Sequence, residues 1–164
     1  MKRLLALLLV AALTLSLAAC GGASITSKEE LEKDAASISF KELALTYESN
    51  KAGAIEKYNN TNCIITGFVY DIGDDSVTIR WVLDKSDADI TEEELTEMFG
   101  ENADMATIMG TAFMATTFSL NVKFANTDEI ANLKIGDEIT VIGKLVLQDD
   151  DGVDAKNIET AYIY

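Results

Sequence analysis

Apolar positions recur along this chain in two rhythms, one helical and one of strand type. Phe40, Leu43, Ala44, Tyr47, Ala54 and Tyr58 return at roughly helical spacing. Ser39 precedes them, with Glu42 three residues later, and this capping-box pair predicts a helix over about 40–58, weakened at Gly53. The rhythm then shortens. Cys63–Tyr70 is a short β-type run ending in the turn-rich Asp71-Ile72-Gly73-Asp74-Asp75. Ser76–Leu83 alternates, with Val77, Ile79, Trp81 and Leu83 on one face and Ser76, Thr78 and Arg80 on the other, so the two runs are expected to form a hairpin. Alternation returns at Phe118–Phe124. After a short helix expected over Asn126–Leu133 and a turn at Lys134–Asp137, it returns again over Glu138–Leu147 and Val153–Tyr162. The last two runs are joined by Asp149-Asp150-Asp151-Gly152, in which Asp-Gly is a favoured hairpin dipeptide.

Residues 84–116 break the strand pattern and predict a helical insertion. Thr91 with Glu94 three residues on marks one helix start, and Leu95, Met98 and Phe99 form its apolar side before Gly100. A second helical stretch is expected around Asn102–Met109. Four of the five methionines, Met98, Met105, Met109 and Met114, lie in this insertion, and spacings of seven and four place the first three near one helical face. Leu95, Met98, Phe99, Met105, Met109 and Met114 are therefore the candidate partner surface. Three uses are open: flexible packing that caps a barrel mouth, an adaptable groove for a protein partner, or a thioether site for Cu(I).

The amino terminus has a different logic. Met1-Lys2-Arg3, an apolar stretch over Leu4–Leu17 and the small residues Ala18-Ala19 before Cys20 are the three parts of a secretory signal. The apolar stretch of about 14 residues reaches only ~21 Å at ~1.5 Å per residue, short of a bilayer core of ~30 Å. Leu17-Ala18-Ala19-Cys20 resembles the lipobox of bacterial lipoproteins, and the resemblance implies that residues 1–19 are removed and Cys20 carries the lipid. Residues 20–37 read as a flexible tether and 38–164 as the domain. The expected location is outside the cytoplasm, anchored to the cell membrane through the lipid. With Cys20 lipidated, Cys63 has no disulfide partner and is expected to be a buried, inert thiol.

Charge and composition narrow the chemistry. Beyond residue 19 there are 11 Lys and Arg against 28 Asp and Glu, a net charge of −17. Such a surface repels nucleic acid, and Thr78, Arg80, Ser119, Asn121 and Lys123, the outward residues of the second and third strands, include no aromatic for base stacking. No nucleic-acid partner is therefore expected. An envelope protein is the expected partner. The chain has no histidine, which removes imidazole bases and His-ligated metals, so no enzyme activity and no cofactor are expected. Asp149, Asp150, Asp151 and Asp154 crowd one loop, but without EF-hand spacing they read as a solvated turn rather than a Ca²⁺ site.

The order of elements is an N-terminal helix, two strands, a helical insertion, a strand, a short helix and two strands. That is the layout of a mainly β, five-stranded OB-fold barrel with an N-terminal helix and a helical insertion between strands 2 and 3. Leu43-Ala44-Leu45-Thr46-Tyr47-Glu48-Ser49-Asn50, Ala54, Tyr58 and Ile65-Thr66-Gly67-Phe68-Val69 resemble the tRNA_anti-like group of OB-fold proteins. Leu133–Lys144 is similar to that group's LKKGDxVTVxGK segment, and Ile158-Glu159-Thr160-Ala161-Tyr162 resembles its closing L-x-x-C-x-I without the cysteine. The resemblance spans about 38–83 and 117–164 and implies the barrel. It implies no tRNA binding, because fold transfers more readily than function. Together these features predict a binding or interaction module, with structural docking in an envelope complex and small-molecule or metal binding as alternatives.

Overall fold

The alternating runs close into a barrel. The computed structural model describes residues 26–82, 91–100, 103–150 and 153–164. The expected signal, the lipidation site Cys20, Leu83, the first part of the insertion and Asp151 lie outside the described residues. In chain order the elements are α1 (Lys28–Glu32), β1 (Ala36–Ser37), α2 (Phe40–Ser49), α3 (Lys51–Tyr58), β2 (Thr61–Ile72), β3 (Ser76–Arg80), α4 (Glu92–Phe99), α5 (Met105–Thr117), β4 (Ser119–Phe124), β5 (Glu138–Asp150) and β6 (Val153–Ile163). Helix and strand contribute about equally, so the β character expected of the whole belongs to the barrel.

Strand β2 is long enough to serve two neighbours. Its first half pairs antiparallel with β5, from Thr61↔Leu145 to Phe68↔Glu138, and its second half with β3, from Phe68↔Arg80 to Ile72↔Val77. β3 pairs with β4, and β6 inserts between β4, which it meets in parallel, and β5. The cyclic order β2-β3-β4-β6-β5-β2 is closed, which removes free sheet edges and defines the OB-fold barrel. The parallel β4–β6 contact and the antiparallel β2–β5 contact join strands that are not consecutive in the chain, so no hairpin produces either. A bulge around Thr160, which has φ 53°, shifts both ladders of β6 together and bends the strand at this corner. Gly143 lies opposite the bend, where a Cβ would stand 2.5 Å from Ile158 Cγ2.

Inward residues such as Ile65, Val77, Ile79, Leu120, Leu145 and Ile158 are wholly buried, and α2 adds Phe40, Leu43, Ala44, Leu45 and Tyr47 to the same core. The helix expected over 40–58 divides at Asn50 rather than at Gly53. Asn50 leaves helical geometry (φ −149°) and its Oδ1 caps the next helix by accepting from Gly53 N at 3.0 Å. The short helix expected at 126–133 is a single 3-10 turn, Thr127–Glu129, opened by Asn126.

The tether expected over 20–37 is corrected along its described part, because residues 26–37 are built into the fold. Ser27 and Glu30 form a reciprocal capping box on α1, and Leu31, 1% exposed, packs where α1 meets β5 and β2. Lys28 Nζ donates to the Ile163 carbonyl at 2.9 Å, and Tyr162 Oη donates to the Thr26 carbonyl at 3.0 Å. β1 then adds a short parallel strand to β2 through Ala36↔Cys63 and Ser37↔Ile64. A solvated run of charge with one apolar residue is thus an anchored strap, held by hydrogen bonds at both ends and by the single side chain it buries.

Candidate interaction surface

The helical insertion is fastened to the domain at its base and leaves its outer side open. Thr91 caps α4 with the box expected from sequence: its Oγ1 accepts from Glu94 N at 3.2 Å, and Glu94 Oε2 accepts from Thr91 N at 2.9 Å. Lys41 on α2 reaches the same carboxylate at 2.8 and 2.9 Å, tying α4 to the helix that covers the barrel. The Lys41 ammonium, with help from the Thr91 amide, holds the Glu94 carboxyl down at about 2, so it is ionised throughout the neutral range. Asp104 caps α5, accepting from Thr107 N at 3.0 Å and Thr107 Oγ1 at 2.6 Å.

Between the two helices Leu95, Ile108 and Ala112 form a small separate core, with Phe99 and Ala103 packed against it. At its C-terminal end α5 joins the main core through Ala115 and the following Phe118, and Trp81 Nε1 donates to the Ala115 carbonyl at 2.8 Å. Among the described residues the opposite side of α5 has no such cover. Met105, Met109, Phe113 and Met114 are 51–59% exposed, and Met98 on α4 is 38% exposed. No charged side chain occurs between Met105 and Phe118. A groove of about 380 Å³ runs between α2 and α4, lined by Ser39, Leu45, Thr46, Glu97 and the Lys41–Glu94 pair, with Met98 on its wall.

The six residues proposed from sequence therefore divide. Met98, Met105, Met109 and Met114 reach the surface, whereas Leu95 is buried and Phe99 half-buried, both holding the hairpin together. The single methionine face is also corrected. Met98 stands on α4, and only Met105 and Met109 share a row of α5, because the chain breaks at Gly100 (φ 80°) and restarts at Asp104. Phe113, eight residues beyond Met105 and on the same row, was missed. It lies inside the helical insertion expected over 84–116 but beyond Asn102–Met109, the stretch read as its second helix, since an almost uniformly apolar segment has no 3.6-residue rhythm to read.

The barrel's outward sheet face also differs from expectation. Thr78, Arg80, Ser119, Asn121 and Lys123 line up across β3 and β4 as expected, through the pairs Thr78↔Asn121 and Arg80↔Ser119. An aromatic joins them from β2. Tyr70, exposed at the register shift between Val69 and Asp71, lies beneath the Arg80 guanidinium, whose carbon is 3.4 Å from the ring centroid. Half-buried Phe68 is the ladder partner of Arg80. Arg80 Nε has no hydrogen-bond partner among the described residues.

Other chemistry is sparse. Cys63 is fully buried, and burial pushes its thiol up to about 12, which keeps it protonated and unreactive at neutral pH. The described acidic residues expected in one loop are instead drawn into the strands, Asp149 near the end of β5 opposite Asp154 of β6, and Asp149 pairs with Lys51 at 2.9 Å. Among the described residues no three His, Cys, Asp or Glu side chains converge as a metal site.

Fold and surface together define an OB-fold barrel bearing a helical hairpin with an open apolar side. No family model matches the chain, and no curated protein does, so the tRNA_anti-like resemblance gains no support from either. Two crystal structures are similar. One is a "putative nucleic acid-binding lipoprotein" from Klebsiella pneumoniae, at 13% identity and TM-score 0.48, covering 84% of this chain and 98% of that one. The other is a yobA protein from Bacillus subtilis, at 15% identity and TM-score 0.30, covering 65% of this chain and 98% of that one. The name of the Klebsiella protein conflicts with the exclusion of nucleic acid drawn above from charge. That exclusion is withdrawn. Its second ground, the absence of an aromatic on the outward face, fails at Tyr70.

Proposed function

We propose that this chain is a non-enzymatic, lipid-anchored module of the cell envelope that holds a protein partner against the open side of α5. The observation that carries this reading is the row Met105, Met109 and Phe113, more than half exposed on a helix without charge in a protein of net charge −17 beyond residue 19. Contiguous exposed apolar surface of this kind marks interaction sites, and methionine adapts to the shape of what it meets. The anchor rests on Lys2-Arg3, the short apolar stretch and Cys20. No helix among the described residues is long and apolar enough to cross a membrane. The absence of histidine and the burial of Cys63 support a binding rather than a catalytic role.

A photocrosslinking residue at position 109, with one at position 123 as control, tests the reading in intact cells. One discrete protein adduct is expected from position 109 alone. Equal labelling from both positions, or none from 109, counts against it.

The Tyr70–Arg80 stack favours a second reading, in which the outward sheet face binds single-stranded nucleic acid. Base stacking on such a ring contributes about 1–3 kcal/mol per base. If this reading holds, Tyr70→Ala weakens oligonucleotide retention on filters at low salt by roughly tenfold. Retention that is absent, or insensitive to the substitution, removes it.

A further inference from the structure

Resting on the reading that α5 holds a protein partner, we propose that the partner presents a cationic amphipathic helix, whose apolar ridge seats on α5 and whose lysines or arginines meet the carboxylates around it. The frame of the surface carries the argument. Residues 91–118 contain six acidic side chains and no basic one. Glu93 and Glu97 are exposed on α4, Glu97 lining the groove that Met98 walls, Asp104 is exposed at the start of α5, and the nearby Lys41 is engaged by Glu94.

The surface also has relief. Met105, Met109 and Phe113 form one i, i+4 row along about 12 Å of helix. Beside it runs the exposed row Ala106 and Gly110, and a Cβ at Gly110 would meet nothing within 4 Å. A ridge beside a shallow row of small residues is the shape into which another helix packs.

Charge decides among occupants. A helix that lies on an anionic bilayer carries Lys and Arg around its apolar face, whereas this one is bordered by Glu and Asp. A second copy would bring the same carboxylates and two charges of −17 together. A basic helix gains on both counts, with apolar anchors against methionine and cations against the rim.

The test uses the detergent-solubilised mature chain and fluorescent synthetic helices of leucine and lysine, or of leucine and glutamate. The leucine–lysine helix is expected to bind in the micromolar range, and the leucine–glutamate helix at least about tenfold more weakly. Met109→Gln with Phe113→Gln should weaken binding at least about tenfold without changing the circular dichroism melt. Glu93→Gln with Glu97→Gln should reduce the salt dependence. Failure of the leucine–lysine helix to bind, or binding indifferent to Met109→Gln with Phe113→Gln, overturns the proposal. So does preferential binding to phosphatidylglycerol vesicles, or self-association that this double substitution abolishes. An adduct from position 109 without peptide binding would retain a protein partner and refute its basic chemistry. Loss of both would remove the underlying reading as well.

Discussion

Phe118→Ala should destabilise the domain by about 3–5 kcal/mol, a large share of the roughly 5–15 kcal/mol that holds a typical domain folded. Phe118 is the joint between the helical hairpin and the barrel. Its ring is 2% exposed and meets Phe40 and Tyr47 of α2 edge-on, at centroid distances of 6.1 and 5.2 Å. Truncation removes both aromatic contacts and leaves a cavity in the main core. Phe113→Ala, five residues away on α5, is the internal control. Its side chain is 57% exposed, so its loss should change stability by no more than about 0.5 kcal/mol. Urea titration of both variants reads the difference. Equal midpoints would mean that Phe118 does not join the two parts, and that α5 is not seated as described.

The contrast between these two phenylalanines also explains what could be read from the sequence. The barrel strands were legible because each has one wet and one dry face, as in Val77-Thr78-Ile79 and Leu120-Asn121-Val122. Helix starts were legible where a side chain caps them, as Thr91 and Ser39 do. The path of α5 beyond Met109 was not, because both of its sides are apolar and only the fold decides which becomes covered. The parallel meeting of β4 and β6 depends on partners far apart in the chain, and no local pattern encodes it.

The candidate surface shows the same limit. Sequence spacing grouped Leu95 and Phe99 with the methionines because all are apolar, but spacing cannot tell an inward from an outward apolar residue on a helix whose neighbour is unknown. Tyr70 was overlooked for a related reason. It comes from β2, and its place beside Arg80 follows from the register of β2 against β3, with a shift between Val69 and Asp71.

The segment before the barrel supplies the second large effect, since here the sequence suggested a tether and the structure shows a strap. Leu31→Ala should cost about 2–4 kcal/mol, the usual range for emptying a buried leucine site. A leucine in a solvated tether would cost nothing measurable. The side chain is 1% exposed, and α1 around it is held by its own capping box, by Lys28 on the Ile163 carbonyl and by Tyr162 on the Thr26 carbonyl. These polar ties join the start of the described chain to the end of β6, so loosening α1 should also loosen β6. Amide exchange separates this coupled case from simple fraying. In Leu31→Ala, protection should fall at Ile163, whose amide is bound by Glu129, and at the β1 ladder, where Ile38 N donates to the Ile64 carbonyl at 3.0 Å. If exchange rises only within residues 26–37, the strap is attached to the barrel without supporting it. The barrel would then hold its shape without α1.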